Sequence, residues 1–206
     1  MAGDQISENP GSGIICNFTS GAITHRLKFG GGRNQALPRA AGFTRGRTPD
    51  IIDATAGLGR DAFLLASLGA HVTMIERSPQ VHAALQAGLL QAKEGPAEIA
   101  GIISRMTLIS GDAKEVLPGL EAPVILVDPM HPPRRGSALV KKEMRELRQL
   151  VGADLDAFEL MCIALKVATN RVVLKWPLRA EPMEGLQSPS HQIVGKTTRY
   201  DVFMRN

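Results

Sequence analysis

Aromatic side chains are scarce in this chain, and their scarcity already excludes some chemistry. Only 4% of the 206 residues are aromatic, with one tryptophan and one tyrosine. Tyr200 is therefore the only candidate for a Tyr-x-x-x-Lys catalytic pair, and no lysine follows it at that spacing. Cysteine is almost absent. Cys16 and Cys162 lie far apart, in neither a metal-ligand nor a Cys-x-x-Cys spacing. The expectation is two free, buried thiols in a reducing compartment, with no disulfide framework and no metal. No apolar run approaches a membrane span, and residues 1–10 are polar and acidic rather than signal-like, which points to the cytoplasm. Internal repeats are missing too.

What remains is an ordinary globular composition, 44% hydrophobic and 21% charged, long enough for one domain with a sizeable core. The net charge of +4 is modest, but its distribution is not even. From Thr24 to Thr48 there are six basic residues (Arg26, Lys28, Arg33, Arg39, Arg45, Arg47) and no acidic one. From Arg134 to Arg148 there are six more against two glutamates. Such clusters suit a phosphate backbone, because each neutralised phosphate releases counterions. A solvated surface accounts for either cluster alone equally well. In the second, Lys141, Lys142, Arg145 and Arg148 are the expected phosphate contacts, with an amphipathic helix stabilised by i,i+4 neighbours as the plain alternative.

Residues 1–16 are expected to be disordered, 17–48 to form a basic N-terminal segment with a short helix over 34–41, and 49–206 to form the main domain. From Asp50 onward, strands and helices alternate. Strands are expected at 50–55, 71–76, 106–110, 124–127 and 171–176, with a terminal pair at 191–194 and 200–204. Helices are expected at 60–68, at 79–93 (Ser78 as N-cap, Pro79 at the first helical position) and at 154–168. This alternation implies an α/β fold with a mostly parallel sheet covered on both faces.

The first strand runs into Asp53-Ala54-Thr55-Ala56-Gly57-Leu58-Gly59-Arg60-Asp61. Small residues at such a turn let a ligand approach the backbone at the carboxyl end of the sheet. Gly57-x-Gly59-x-x-Ala62 also matches the dinucleotide fingerprint, so the glycines do not separate NAD from S-adenosylmethionine (SAM). Glu76, ending the second strand, is placed to accept hydrogen bonds from ribose hydroxyls of either ligand. Asp53 and Asp61 lean toward SAM: two carboxylates would repel a pyrophosphate but suit an ammonium and a sulfonium. The plainer alternative is that Asp53 caps the turn and Asp61 favours the helix N-terminus. Asp112, after the third strand, is a candidate partner for the adenine or a cap for the next helix.

The most informative stretch is Val124-Ile125-Leu126-Val127-Asp128-Pro129-Met130-His131-Pro132-Pro133. A buried strand stops at Asp-Pro, and the prolines stiffen the loop that follows. An exocyclic amino group on a base is a weak nucleophile because its lone pair is delocalised. A carboxylate (Asp128) and a carbonyl (Pro129) accepting its two N–H bonds favour the geometry in which that lone pair attacks. The alternative is a carboxylate that merely caps a turn. A base reaching such a pocket leaves its stack, and His131 is the nearest flat side chain to receive it, with Phe29 and Trp176 as other platforms.

Several segments together resemble the ribosomal RNA small subunit methyltransferase J family. They are Asn-Phe-Thr-Ser-Gly-Ala (17–22), His-Arg-x-Lys-Phe-Gly-Gly-Gly-Arg (25–33), Asp-Ala-Thr-Ala-Gly-Leu-Gly-Arg-Asp-Ala (53–62), Ile-Glu-Arg (75–77), Asp-Pro-Met-x-Pro (128–132), Ser-Ala-Leu-Val-Lys-Lys-Glu-Met-Arg (137–145) and Lys-x-Pro (175–177). The resemblance implies a Rossmann-like class I SAM-dependent methyltransferase fold with an antiparallel C-terminal strand. It implies methylation of a guanosine N2 amino group in small-subunit rRNA, in the bacterial cytoplasm. Carried over by position, the cofactor contacts fall on Arg60, Asp61, Glu76, Arg77, Asp112, Ala113 and Asp128, of which Arg60, Arg77 and Ala113 come from the resemblance alone. His131 stands where the family has phenylalanine, and family members carry a longer N-terminal portion that residues 1–16 do not replace. An NAD(P)-dependent oxidoreductase and a non-catalytic RNA-binding relative are the competing readings.

Overall fold

A computed structural model describes residues 16–19, 32–130 and 156–205. The expectations placed on residues 1–15, on Arg26, Lys28 and Phe29, and on His131, Lys141, Lys142, Arg145 and Arg148 lie outside the described residues.

Seven strands form one sheet: β1 (Ile51–Asp53), β2 (Val72–Glu76), β3 (Met106–Ser110), β4 (Val124–Val127), β5 (Arg171–Pro177), β6 (His191–Val194) and β7 (Thr198–Met204). Their order is β3-β2-β1-β4-β5-β7-β6. The first five run parallel, and β7 lies antiparallel between β5 and β6, pairing Arg171 with Met204 and Pro177 with Thr198. The chain builds outward from β1 to β3, then returns to place β4 on the other side of β1. That reversal opens a crevice between the tips of β1 and β4, where open α/β sheets bind their ligands.

Alternation along each strand divides the core into two layers. Ile51, Met74, Leu126 and Val173 face α1 (Ala36–Ala40), α2 (Arg60–Ser67), α3 (Pro79–Lys93) and α4 (Ala97–Ile103). Ile52, Ile75, Ile125, Val127 and Leu174 face α5 (Ala113–Val116) and α6 (Ala157–Val167). Phe18, Leu37 and Phe43 are buried in the first layer, so the described parts of the basic N-terminal segment share the core of the sheet. Phe18 stacks on Phe63 with ring centroids 5.1 Å apart.

Four local expectations need correction. The first strand stops at Asp53 rather than Thr55, because the Asp53 carboxylate accepts the Thr55 N–H and turns the chain there. Helix α4 has no counterpart in the sequence reading, although Ile99, Ile102 and Ile103 give it an apolar face. The strand expected at 200–204 begins two residues earlier, with Arg199 buried at its start. Cys16 is buried as expected, but Cys162 is only partly so.

Candidate active site

The glycine turn after β1 is held by hydrogen bonds to the two neighbouring strands, β2 and β4. Ala54 N–H donates to the Leu126 carbonyl on β4 (2.9 Å) and Ala56 N–H to the Ile75 carbonyl on β2 (3.0 Å). Gly57 N–H donates to Glu76 Oε2 (2.8 Å), and the other oxygen of Glu76 accepts the Ser78 N–H (2.8 Å). Glu76 is 6% exposed, so its charge is held by two backbone amides at the junction of the first two strand tips. Thr55 extends the network to β4, its hydroxyl accepting the Asp128 N–H at 2.7 Å. The tips of β1, β2 and β4 are thereby fixed before any ligand arrives.

A cavity opens over these tips. Its wall includes Gly57, Glu76, Arg77, Asp112, Ala113 and Asp128, and Thr55, Lys114, Met130, Asp156 and Leu160 are among its other residues. Six residues expected from sequence as cofactor contacts thus line one space. Asp112 also caps α5, accepting the Lys114 N–H at 2.9 Å. The cap does not exclude a ligand contact, since a carboxylate has lone pairs to spare after one bond.

Other expected contacts are elsewhere. Asp53 is 3% exposed and lies beneath the turn rather than on the cavity wall. Burial, then the neighbouring Asp61, raises its pKa from the usual carboxylate range to about 7. The turn-capping alternative describes it better than ligand contact. Gly59 has a left-handed backbone (φ +67°), and a Cβ there would meet Leu85 Cδ1 at 2.8 Å and Phe18 Cζ at 3.2 Å. It makes the entry into α2 and the packing beneath it possible, and it too lies off the wall. Arg60, exposed, and Asp61 open α2 outside the wall. Pro129 is buried between Asp128 and Met130.

Asp61 and Asp128 are joined by a residue that the sequence reading quoted only within a motif. Lys175, near the end of β5, sits 2.6 Å from Asp61 Oδ2 and 2.6 Å from Asp128 Oδ2. Burial alone would lower its pKa, but the two carboxylates outweigh that and hold it above the usual lysine value. The signal was available: an apolar strand, Val172-Val173-Leu174, runs into a lysine at the tip level of Asp128. A second ionic group closes the other side of the cavity. Asp156, at the start of α6, lies 3.0 Å from both Arg77 and Lys114, and Lys114 also reaches Glu159 at 2.9 Å. Burial opposes the charge on Asp156, but its bonds to Lys114 and Arg77 prevail and lower its pKa. Arg77 in this geometry tethers α6 to the tip of β2.

Arg33, expected to follow RNA phosphates, is engaged internally. Its guanidinium donates to the carbonyls of Thr44, Arg47 and Leu68 (each 3.0 Å) and to the Thr48 hydroxyl (2.6 Å). It also lies 5.3 Å from the Phe43 ring centroid. These bonds take most of its five donors, which corrects its assignment to RNA. The Trp176 indole N–H donates to the Glu181 carbonyl at 2.7 Å, pinning the turn after β5.

The wall carries four carboxylates (Glu76, Asp112, Asp128, Asp156) against two cations, and both cations pair with Asp156. Such a wall disfavours the pyrophosphate of a dinucleotide and fits a nucleoside bearing positive charge. Parallel sheet, antiparallel β7, acidic cavity and glycine turn together define a class I SAM-dependent methyltransferase. The family model described as "Putative SAM-dependent methyltransferase" matches residues 4–205. A ribosomal RNA small subunit methyltransferase J from Agrobacterium fabrum is 63% identical over 191 residues, 93% of this chain and 92% of the relative. One from Shewanella loihica is 49% identical over 94% of this chain but 75% of its own length, so extra length belongs to some relatives and not to others. Among solved structures, a SAM-dependent methyltransferase from Neisseria gonorrhoeae superposes with a TM-score of 0.72 at 35% identity, covering 96% of this chain and 76% of that one. The chain belongs to the ribosomal RNA small subunit methyltransferase J family, and its cofactor is SAM.

Proposed function

We propose that this methyltransferase modifies the exocyclic N2 amino group of a guanosine in small-subunit ribosomal RNA, in the cytoplasm where ribosomes are made. The relatives' names supply the class of RNA. One observation carries the chemistry: the Asp128 carboxylate lies on the cavity wall beside the glycine turn, its backbone bonded to Thr55 and its side chain to Lys175.

Bound SAM supplies an electrophilic methyl group on a sulfonium. Glu76, Asp112 and Ala113 would hold its nucleoside end, with Gly57 offering close backbone approach. Asp128 accepts one N–H of the guanine amino group and the Pro129 carbonyl the other, so that the N2 lone pair leaves the ring plane. In that geometry the lone pair would take the methyl group that SAM supplies as its C–S bond opens toward sulfur, and the proton shed by N2 would pass by way of Asp128 to solvent. Asp128 keeps its orientation throughout because Lys175 and Thr55 fix it from two sides.

The test is methyl transfer from labelled SAM to small subunits lacking the modification, followed by nucleoside mass spectrometry. N2-methylguanosine is expected, and Asp128→Ala should abolish it while SAM still binds. Methyl groups on another atom, or full turnover by the variant, would overturn the assignment.

A further inference from the structure

A second cleft lies between the N-terminal segment, the start of β5 and the edge strand β6. Arg39, Gly42, Arg47, Arg171, His191 and Gln192 are among its lining residues, and no carboxylate is. We propose that Arg39, Arg47 and Arg171 form a docking site for the phosphate backbone of the substrate RNA, remote from the reacting end. The proposal rests on the rRNA reading above and adds where the RNA is held.

Three observations support it. First, Arg39 and Arg47 come from the first basic cluster of the sequence, and Arg171, at the start of β5, belongs to neither cluster. None of the three has an ion-pair partner among the described residues. Burial, and then the like charge of Arg47, disfavours the charged form of Arg171. An anion would relieve that repulsion.

Second, Arg171 is held in place. Its Nε donates to Asn170 Oδ1 (3.0 Å) and its Nη1 to the Ala40 carbonyl (3.3 Å), while Nη2 has no partner among the described residues. The guanidinium fills the space a side chain at residue 42 would take: a Cβ on Gly42 (φ +86°) would lie 2.8 Å from Arg171 Cζ. A pre-oriented guanidinium with a free edge is suited to phosphate oxygens.

Third, the edge strand connects this cleft to the active end. His191 on β6 pairs with Val202, level with Val173, and Val194 pairs with Arg199, level with Trp176 beside Lys175. The strand therefore rises about 10 Å from the cleft to the tip of β5, at roughly 3.3 Å per residue. His191, Gln192 and Val194 are exposed along that path. An RNA strand following it would keep a phosphate on the arginines while its base enters the cavity.

The experiment compares the full-length chain with Arg39→Glu/Arg47→Glu, both exposed positions, in binding to small-subunit rRNA transcribed in vitro across a salt series. Calorimetry with SAM and thermal melting run alongside. The double variant should bind RNA at least tenfold more weakly at low salt. Its slope of log affinity against log salt should be shallower by about 1.5, near 0.7–0.9 per lost phosphate contact. KM for RNA should rise with SAM affinity unchanged. Equal RNA affinity and equal slope in variant and wild type would overturn the docking site while leaving the methyltransferase reading intact. Failure of the wild type itself to bind this RNA would overturn both.

Discussion

Replacing Lys175 by methionine removes one ammonium and leaves two carboxylates facing each other. Lys175 Nζ lies 2.6 Å from Asp61 and 2.6 Å from Asp128, with side-chain exposures of 23%, 18% and 39%. Removing one partner from a fully buried pair costs about 3–5 kcal/mol. Partial exposure lets water and a raised carboxylate pKa recover part of that, so a loss of about 2–3 kcal/mol is expected. For a chain of this size it corresponds to roughly 5–10 °C in melting temperature. The catalytic consequence is larger than stability alone suggests. Without Lys175 the Asp128 carboxylate loses its 2.6 Å ionic anchor while the backbone bond to Thr55 stays, and misplacement by about an ångström costs on the order of 100-fold in rate. Single-turnover methyl transfer, at SAM and RNA concentrations that saturate the variant, reads this step directly. Lys175→Arg, which keeps the charge but not the compact geometry, should recover the melting temperature more than the rate. A folded Lys175→Met enzyme that turns over at the wild-type rate would show that Asp128 needs no such anchor.

Two substitutions test assignments made by geometry. Arg33→Ala should lower stability by about 2–3 kcal/mol in chemical denaturation, since it strips hydrogen bonds from three carbonyls and a hydroxyl, with RNA affinity per folded molecule unaltered; a stable variant that binds RNA poorly would return Arg33 to the interface. Gly59→Ala should cost about 2–4 kcal/mol, from a left-handed alanine plus a methyl group forced against Leu85 and Phe18. A Gly59→Ala protein as stable as wild type would mean that the turn relaxes freely.

The fold was legible because its strands are apolar runs that end in small or acidic residues, and because Ser78-Pro79 and the glycine turn mark helix starts. Helix α4 escaped notice since Gly95-Pro96 reads as a loop and the helical stretch after it is only seven residues long, with a glycine inside it. The cavity wall was legible for Glu76, Asp112 and Asp128, which end or follow strands. What the pattern could not separate was a carboxylate beside the ligand from one beneath it. Asp53 ends β1 and Asp128 follows β4, yet the first is buried beneath the turn and the second lies on the cavity wall. Only the third dimension shows that Lys175, more than a hundred residues from Asp61, joins two of the acids. Arg33 shows the converse. A basic residue in a basic run suggests a surface for anions, but four internal acceptors claim its donors.

Asp53 makes both stability and cofactor binding sensitive to pH. Its folded pKa, about 7, lies above the unfolded value near 3.8. Between those values the folded protein holds a proton that the unfolded chain has lost, so stability falls as pH rises across that window and levels off above it. The slope from this group is at most about 1.4 kcal/mol per pH unit, diluted by coupling to Asp61, Asp128 and Lys175. Asp53→Asn keeps an acceptor for the Thr55 N–H and should flatten the decline. The same proton is linked to the cofactor. Below pH 7 the cluster of three acids and one lysine carries a net charge of about −1, and above it about −2. A sulfonium placed over the turn favours the more negative form, so SAM should bind more tightly as pH rises from 6 to 8 and release a fraction of a proton near neutrality. Calorimetry in buffers of different ionisation enthalpy measures that release, and Asp53→Asn should abolish it. Proton release undiminished in the variant would assign the linkage to another group.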